Sequence, residues 1–168
     1  STSRRQRQMC IRDRIVKEKF PEAEMLMGTS TAGIAHAAIT ATILDLPMGY
    51  VRSGHKDHGR QNQIEGKMEP GTKVVVIEDL ISTGGSVLEV VDVLRQAGAQ
   101  VLGIASIFTY GLQKGVERLA AADVVNYSLS DFDTLSKVAA AEGYIADKDI
   151  AKLTAFQKNP QDPAWMEL

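Results

Sequence analysis

Residues 74–86, VVVIEDLISTGGS, constrain the fold more than any other stretch of this chain. Val74, Val75, Val76 and Ile77 form an apolar run with no polar alternation. Both faces of such a segment must be covered, which is the situation of a central strand in a parallel sheet. The strand is expected to end at Glu78 and Asp79, after which a loop of small residues opens a helix. Val87, Val90, Val91 and Leu94 recur there at helical spacing, while Glu89, Asp92, Arg95 and Gln96 fall on other faces. Gly98 supplies the C-terminal stop.

The same alternation of short apolar runs and helical periodicity continues on either side. EMLMGTS reads as a strand ending near Gly28, followed by an alanine-rich helix from Gly33 to Leu44 and a second strand in PMGYVRS. Downstream, VLGIASIFTY and VVNYSL read as strands, with helices at Lys114 to Ala121, Phe132 to Gly143 and Lys148 to Lys158. Pro160 and Pro163 punctuate the C-terminal segment, where Trp165 is expected to hug the surface. Strands alternating with helices predict a doubly wound α/β fold, a parallel sheet flanked by helices.

With 168 residues, 44% of them hydrophobic, the chain can close one core without disulfides. The domain is expected to span residues 15–168. Residues 1–14 stand apart, with Arg4, Arg5, Arg7, Arg12 and Arg14 and little apolar content. That run reads as a short tail, as a basic targeting or RNA-binding arm, or as translated adapter sequence, in which case the natural protein begins upstream of Ile15. A net charge of −2 gives no overall reason to expect nucleic acid or an anionic membrane as a partner, so any anion binding must be local. The lone Cys10 cannot form an internal disulfide, and no apolar run reaches the roughly 20 residues needed to cross a bilayer. A soluble, cytoplasmic protein is the expectation.

The loop after the central strand has the parts of a phosphate site. Gly84 and Gly85 allow a tight turn and close approach of the backbone, and Ser82, Thr83 and Ser86 offer hydroxyls. The helix beginning there adds unpaired N–H groups and a positive dipole end. Glu78 and Asp79 are adjacent like charges at the carboxyl end of a strand, where they can accept hydrogen bonds from vicinal hydroxyls or face a cation. Together these groups describe a site for a sugar phosphate. No lysine follows the glycines as in a Walker loop, and the dinucleotide G-x-G-x-x-G spacing is missing, which disfavours triphosphate hydrolysis and hydride transfer.

The two acids followed by LISTGGS resemble the donor-binding signature of type I phosphoribosyltransferases, with Glu78 where many members carry Asp. The resemblance implies that Glu78 and Asp79 hold the ribose hydroxyls of 5-phosphoribosyl 1-diphosphate (PRPP). It further implies that Ser82, Thr83, Gly84, Gly85 and Ser86 hold its 5-phosphate, with Leu80 and Ile81 also counted among the PRPP-binding positions.

Residues 53–71 are nineteen positions with only Ile64 and Met68 as large apolar side chains, too long and polar for an ordinary connection. This segment holds His55, Lys56, His58 and Arg60 and follows Arg52, so it reads as a cationic lid. Breaking the bond from C1 of a sugar to diphosphate builds negative charge on the leaving group, which cations stabilise, while closure excludes water. His55 and His58 lack a third ligand nearby, so a protein-held metal is not expected.

VRSGHKDHGRQNQIEG, residues 51–66, is similar to the catalytic loop of orotate phosphoribosyltransferases, a narrower match than the phosphate signature. It implies that Arg52, Lys56 and His58 contact the diphosphate, with Lys56 the principal catalytic residue, and that the loop completes a neighbouring subunit's site in a homodimer. GTSTAGIAHAA, residues 28–38, resembles the family's pyrophosphate loop. Backbone N–H groups at Thr31 and Ala32 could form an anion-binding concavity there, or Thr31 could simply cap a helix, and His36 reads as a packed helix residue. Ser82 is implied as an orotate contact, and Tyr110 is a second candidate. Mg²⁺ is implied as a cofactor carried by PRPP near Asp79, and no N-terminal hood over the base is recognisable. The implied activity is phosphoribosyl transfer to orotate. A purine-type acceptor and a non-catalytic PRPP-binding regulator are the alternatives.

Overall fold

The computed structural model describes residues 13–52 and 63–167. Residues 13–19 form a helix, α1, that delivers Val16 and Phe20 to the core. The helix takes in Asp13 and Arg14, two residues ahead of the boundary expected at Ile15. The following elements are β1 (Met25–Thr29), α2 (Ala32–Leu44), β2 (Met48–Val51), β3 (Ile64–Glu65), β4 (Lys73–Ile81) and α3 (Gly85–Gln96). The chain continues through β5 (Gln100–Thr109), α4 (Gln113–Ala121), β6 (Asn126–Asp131), α5 (Phe132–Ala141), α6 (Asp149–Lys158) and a 3₁₀ turn over Pro163–Glu167.

The six strands form one sheet in the order β3-β2-β1-β4-β5-β6. All neighbours are parallel except β2 and β3, where Tyr50 faces Glu65 and Val51 faces Ile64. Of the nineteen residues expected as a lid, 53–62 lie outside the described residues, and the rest are partly structural. Ile64 and Glu65 already belong to an antiparallel edge strand, and Met68 packs on the core.

Alternating residues of β4 serve two cores. Val74 and Val76 pack with Val87, Val90, Val91 and Leu94 of α3, the stripe expected from spacing. Val75 and Ile77 pack with Leu26, with Ala37 and Ala41 of α2, and with Val16 and Phe20. This two-sided cover is why the run carries no polar residue. The strand itself departs from expectation, since it continues to Ile81 instead of ending at Glu78 and Asp79. The cause is pairing with β5, where Glu78 faces Ser106, Leu80 faces Phe108 and Ile81 faces Thr109. The last strand lies two residues later than VVNYSL because its register runs from Ile104–Asn126 to Thr109–Asp131.

α2 lies unusually close to the sheet. A methyl group on Gly33 would sit 2.5 Å from the carbonyl oxygen of Ile77, and one on Gly28 would sit 2.9 Å from that of Gly33. Only hydrogen fits at these two positions, which brings the start of α2 against the ends of β1 and β4. β1 and β4 are neighbours whose connecting helices, α2 and α3, cover opposite faces of the sheet. The crevice beyond their carboxyl ends is thus the topological switch point, where open α/β sheets place ligands.

Candidate functional site

A cavity of about 520 Å³ occupies that crevice, lined by Thr29 and Ser30 from β1, Arg52 after β2, Glu78 and Asp79 from β4, and Ser86 at the start of α3. Glu78 is only 5% exposed, and its Oε1 accepts hydrogen bonds from the Thr29 hydroxyl at 2.7 Å and the Asp79 N–H at 2.9 Å. Burial, with a smaller push from the Asp79 side chain, raises its carboxyl from 4.5 to about 7, against the lowering effect of the Thr29 bond. Asp79 is half-buried and Leu80 is 43% exposed. Thr29, which sequence reasoning passed over, holds the first acid in place. Its signal was a polar residue ending an otherwise buried strand, since all five residues of β1 are buried.

Beyond Ile81 the backbone leaves the sheet. Gly84 takes φ 73°, in the left-handed region where glycine is favoured, and α3 begins at Gly85 without a side-chain cap. The Thr83 and Gly84 N–H groups have no partner among the described residues. Ser82 and Ser86 are exposed, while Thr83 and Gly85 are half-buried. The loop thus offers open donors and a helix N-terminus at one edge of the crevice.

The expected site residues are only partly gathered together. Arg52, Glu78, Asp79, Leu80 and Ser86 line the one cavity. Ser82 and Ile81 instead border a second cavity of about 310 Å³, toward α4. Ile81 is 2% exposed in the core, so its side chain cannot meet a ligand at the first cavity. Thr31 and Ala32 are exposed beside Ser30 but line neither cavity. Thr31 stands at the N-cap position of α2 without a side-chain capping bond. Tyr110 is part of an aromatic row, with ring centroids 5.4 Å from Phe108 and 5.7 Å from Phe132. That row continues through Phe156 to Trp165, which seats the C-terminal turn on the domain. Lys56 and His58 lie outside the described residues.

Arg52 carries an ion pair that its sequence context did not announce, Nη2 to Glu65 Oε1 at 2.6 Å, with both side chains partly exposed. The antiparallel pairing of β2 with β3 makes the contact by placing Glu65 opposite Tyr50. Glu89 and Asp92 of α3 also face the cavity, so its wall is rich in acids. A bare polyanion is poorly matched to such a wall, whereas an anion that brings its own cations is well matched.

The family model for the phosphoribosyl transferase domain matches residues 10–137. The orotate phosphoribosyltransferase of Bacillus cytotoxicus is 56% identical over 154 residues, covering 92% of this chain and 73% of that protein. The Bacillus anthracis protein of the same name matches equally, at 56% over 154 residues. Among solved structures, orotate phosphoribosyltransferase from Aeropyrum pernix superposes with TM-score 0.72 at 28% identity, over 83% of this chain and 76% of that one. Leishmania donovani UMP synthase gives TM-score 0.73 over 89% of this chain and 32% of that one, and at 22% identity it bears on the fold alone.

Proposed function

The chain belongs to the orotate phosphoribosyltransferases, within the phosphoribosyl transferase domain family, and from that premise we propose that it transfers the 5-phosphoribosyl group of PRPP to orotate. The products are orotidine 5-phosphate and pyrophosphate, in pyrimidine synthesis. The observation that carries this reading is the meeting of Glu78, Asp79 and Ser86 on one cavity at the switch point, beside a loop whose Thr83 and Gly84 N–H groups have no partner among the described residues. The 56% identity with orotate phosphoribosyltransferases favours orotate over a purine acceptor or a regulator without catalysis.

In this reading the ribose hydroxyls donate to Glu78 and Asp79, and the 5-phosphate accepts from the loop Ser82–Ser86. The bond from C1 to the diphosphate oxygen breaks and pyrophosphate departs with the bonding pair, while N1 of orotate supplies the electron pair for the new bond and gives up its proton to the departing pyrophosphate or to water. Arg52, Lys56 and His58 neutralise the charge that grows on the leaving group. Thr31 and Ala32, next to Ser30 on the cavity wall, supply further N–H groups to the diphosphate. Ser82, at the start of the phosphate loop, is also assigned to orotate by the resemblance, although it borders the second cavity. Tyr110 is the weaker orotate candidate, its ring held by Phe108 and Phe132.

Mg²⁺ is assigned to the donor. Among the described residues no three acidic, histidine or cysteine side chains cluster as metal ligands, whereas two adjacent carboxylates line the cavity. Asp79, with Glu78 beside it, would hold such an ion, which would supply positive charge against the diphosphate at the acidic wall.

We also assign a homodimer in the cytoplasm. Helix α2 is apolar on both faces, and its outer side presents Ala35, Ile39 and Ile43, with Ile39 39% and Ile43 45% exposed. A helix apolar all round calls for cover on both sides, and a second copy supplies it. No helix among the described residues is long and apolar enough to cross a membrane.

The test is pyrophosphate release from PRPP and Mg²⁺ with orotate, hypoxanthine, xanthine or adenine as acceptor. Release with orotate alone is expected. Release with a purine and not with orotate would overturn the assignment.

A further inference from the structure

The back of the phosphate loop rests on α4, a helix with no part in the chemistry described so far. Gly115, Arg118 and Leu119, at i, i+3 and i+4, present one face of α4 to this loop. A methyl group on Gly115 would lie 2.6 Å from the carbonyl oxygen of Ser82 but 3.6 Å from its carbonyl carbon. The difference of 1.0 Å is most of a carbonyl bond length, so the Ser82 carbonyl points directly at α4. One position further on, Arg118 Nη1 donates to the carbonyl oxygen of Thr83 at 3.3 Å. A side chain on Gly84, itself buried, would meet Leu119 and the Gly115 carbonyl at 3.8 Å.

These contacts fix the orientation of two peptide planes. Both peptide units are trans, and a trans unit directs its N–H opposite to its C=O. With the carbonyls of Ser82 and Thr83 turned toward α4, the N–H groups of Thr83 and Gly84 must point away from it. These are the same two N–H groups that lack a partner among the described residues. Arg118 further polarises the Thr83–Gly84 peptide through its carbonyl, which strengthens the Gly84 N–H as a donor.

We propose that Gly115 and Arg118 are positioning residues for the phosphate loop, acting through the carbonyls of Ser82 and Thr83 to aim its N–H groups at the 5-phosphate. The proposal rests on the phosphoribosyl-transfer reading. Gly115 lets α4 approach closely enough to set the first plane, and Arg118 holds the second. Neither residue touches the donor.

The test compares Gly115→Ala, Arg118→Met and Arg118→Lys with the unaltered protein, measuring KM for PRPP, KM for orotate, kcat and ribose 5-phosphate affinity by calorimetry. Gly115→Ala should raise KM for PRPP by about tenfold and Arg118→Met by about fivefold, with KM for orotate unmoved and kcat within about twofold. Ribose 5-phosphate affinity should weaken in step, and Arg118→Lys should recover part of the loss. Phe20→Leu, which loosens the opposite face of the sheet, should lower the melting temperature without moving KM for PRPP. If Gly115→Ala does not fold, Arg118→Met decides alone. Unchanged PRPP and ribose 5-phosphate binding in folded Arg118→Met overturns the proposal while the functional reading stands. If the unaltered protein transfers nothing to orotate, that reading fails, and the ribose 5-phosphate affinities still decide what α4 does.

Discussion

At the scale of single residues, Glu78 and Lys56 carry the two predictions that separate fold from chemistry. The carboxyl of Glu78 titrates near 7 in the folded chain and near 4.5 when exposed, so between those values the folded state holds a proton that the unfolded chain has lost. Its contribution to stability is therefore complete below pH 4.5 and lost as pH rises through about 7. Thermal unfolding of the unliganded protein should show that loss, on the order of 2–3 kcal/mol once solvent screening at the open side of the cavity is allowed for, and Glu78→Gln, which cannot ionise, should remove it. An identical pH profile for the two proteins would mean that Glu78 is not held in a desolvated site. For Lys56, replacement by alanine should cost on the order of 10²-fold in turnover while ribose 5-phosphate affinity stays the same. Full turnover in Lys56→Ala would remove it from the mechanism. Both acids and the Ser-Thr-Gly-Gly-Ser loop were legible in the sequence, because apolar run, acids and small residues follow in order within residues 74–86. Thr29 could be read only as a polar residue at a strand end, and its pairing with Glu78 was not legible, since the two are 49 residues apart and only the sheet brings them together.

At the scale of elements, the contact between α2 and the strand ends is where packing and site meet. Gly33→Ala would press on the Thr29 hydroxyl and the Ile77 carbonyl, a clash expected to cost about 1–3 kcal/mol. Because Thr29 also donates to Glu78, the same substitution should weaken PRPP binding, measurable as a rise in KM for PRPP beside the lowered melting temperature. Gly33→Ala with unchanged melting and unchanged KM would contradict this coupling. Helix α3 was readable in detail, since its buried residues Val87, Val90, Val91 and Leu94 are the ones its spacing singles out. Strand ends were less readable. β4 runs on to Ile81 and β6 begins at Asn126 because pairing with β5 sets those limits, and register between segments twenty or more residues apart leaves no local trace. Edge strand β3 was hidden for the same reason. Two residues paired across a hairpin look, in sequence, like any polar loop.

At the scale of the whole molecule, strand order decides where a ligand can sit. The order in which strands are added reverses between the parallel neighbours β1 and β4 and so opens the crevice, which the acids and the loop reach from β4, Thr29 from β1 and Arg52 from β2. Alternating strands and helices implied such a crevice, yet not which strands would flank it. The outer face of α2 belongs to this scale too. Ile43→Glu should convert a dimer to a monomer in sedimentation and lower turnover through loss of the partner's loop, whereas a chain that is already monomeric would contradict the homodimer. The central claim, that the loop after β4 takes the phosphate of a pentose, is tested most directly by titrating ¹⁵N-labelled protein with ribose 5-phosphate and following the amide resonances. Saturable shifts largest at Thr83, Gly84, Gly85 and Ser86 are expected, and shifts centred elsewhere, with these four unmoved, would rule out a phosphate at this loop.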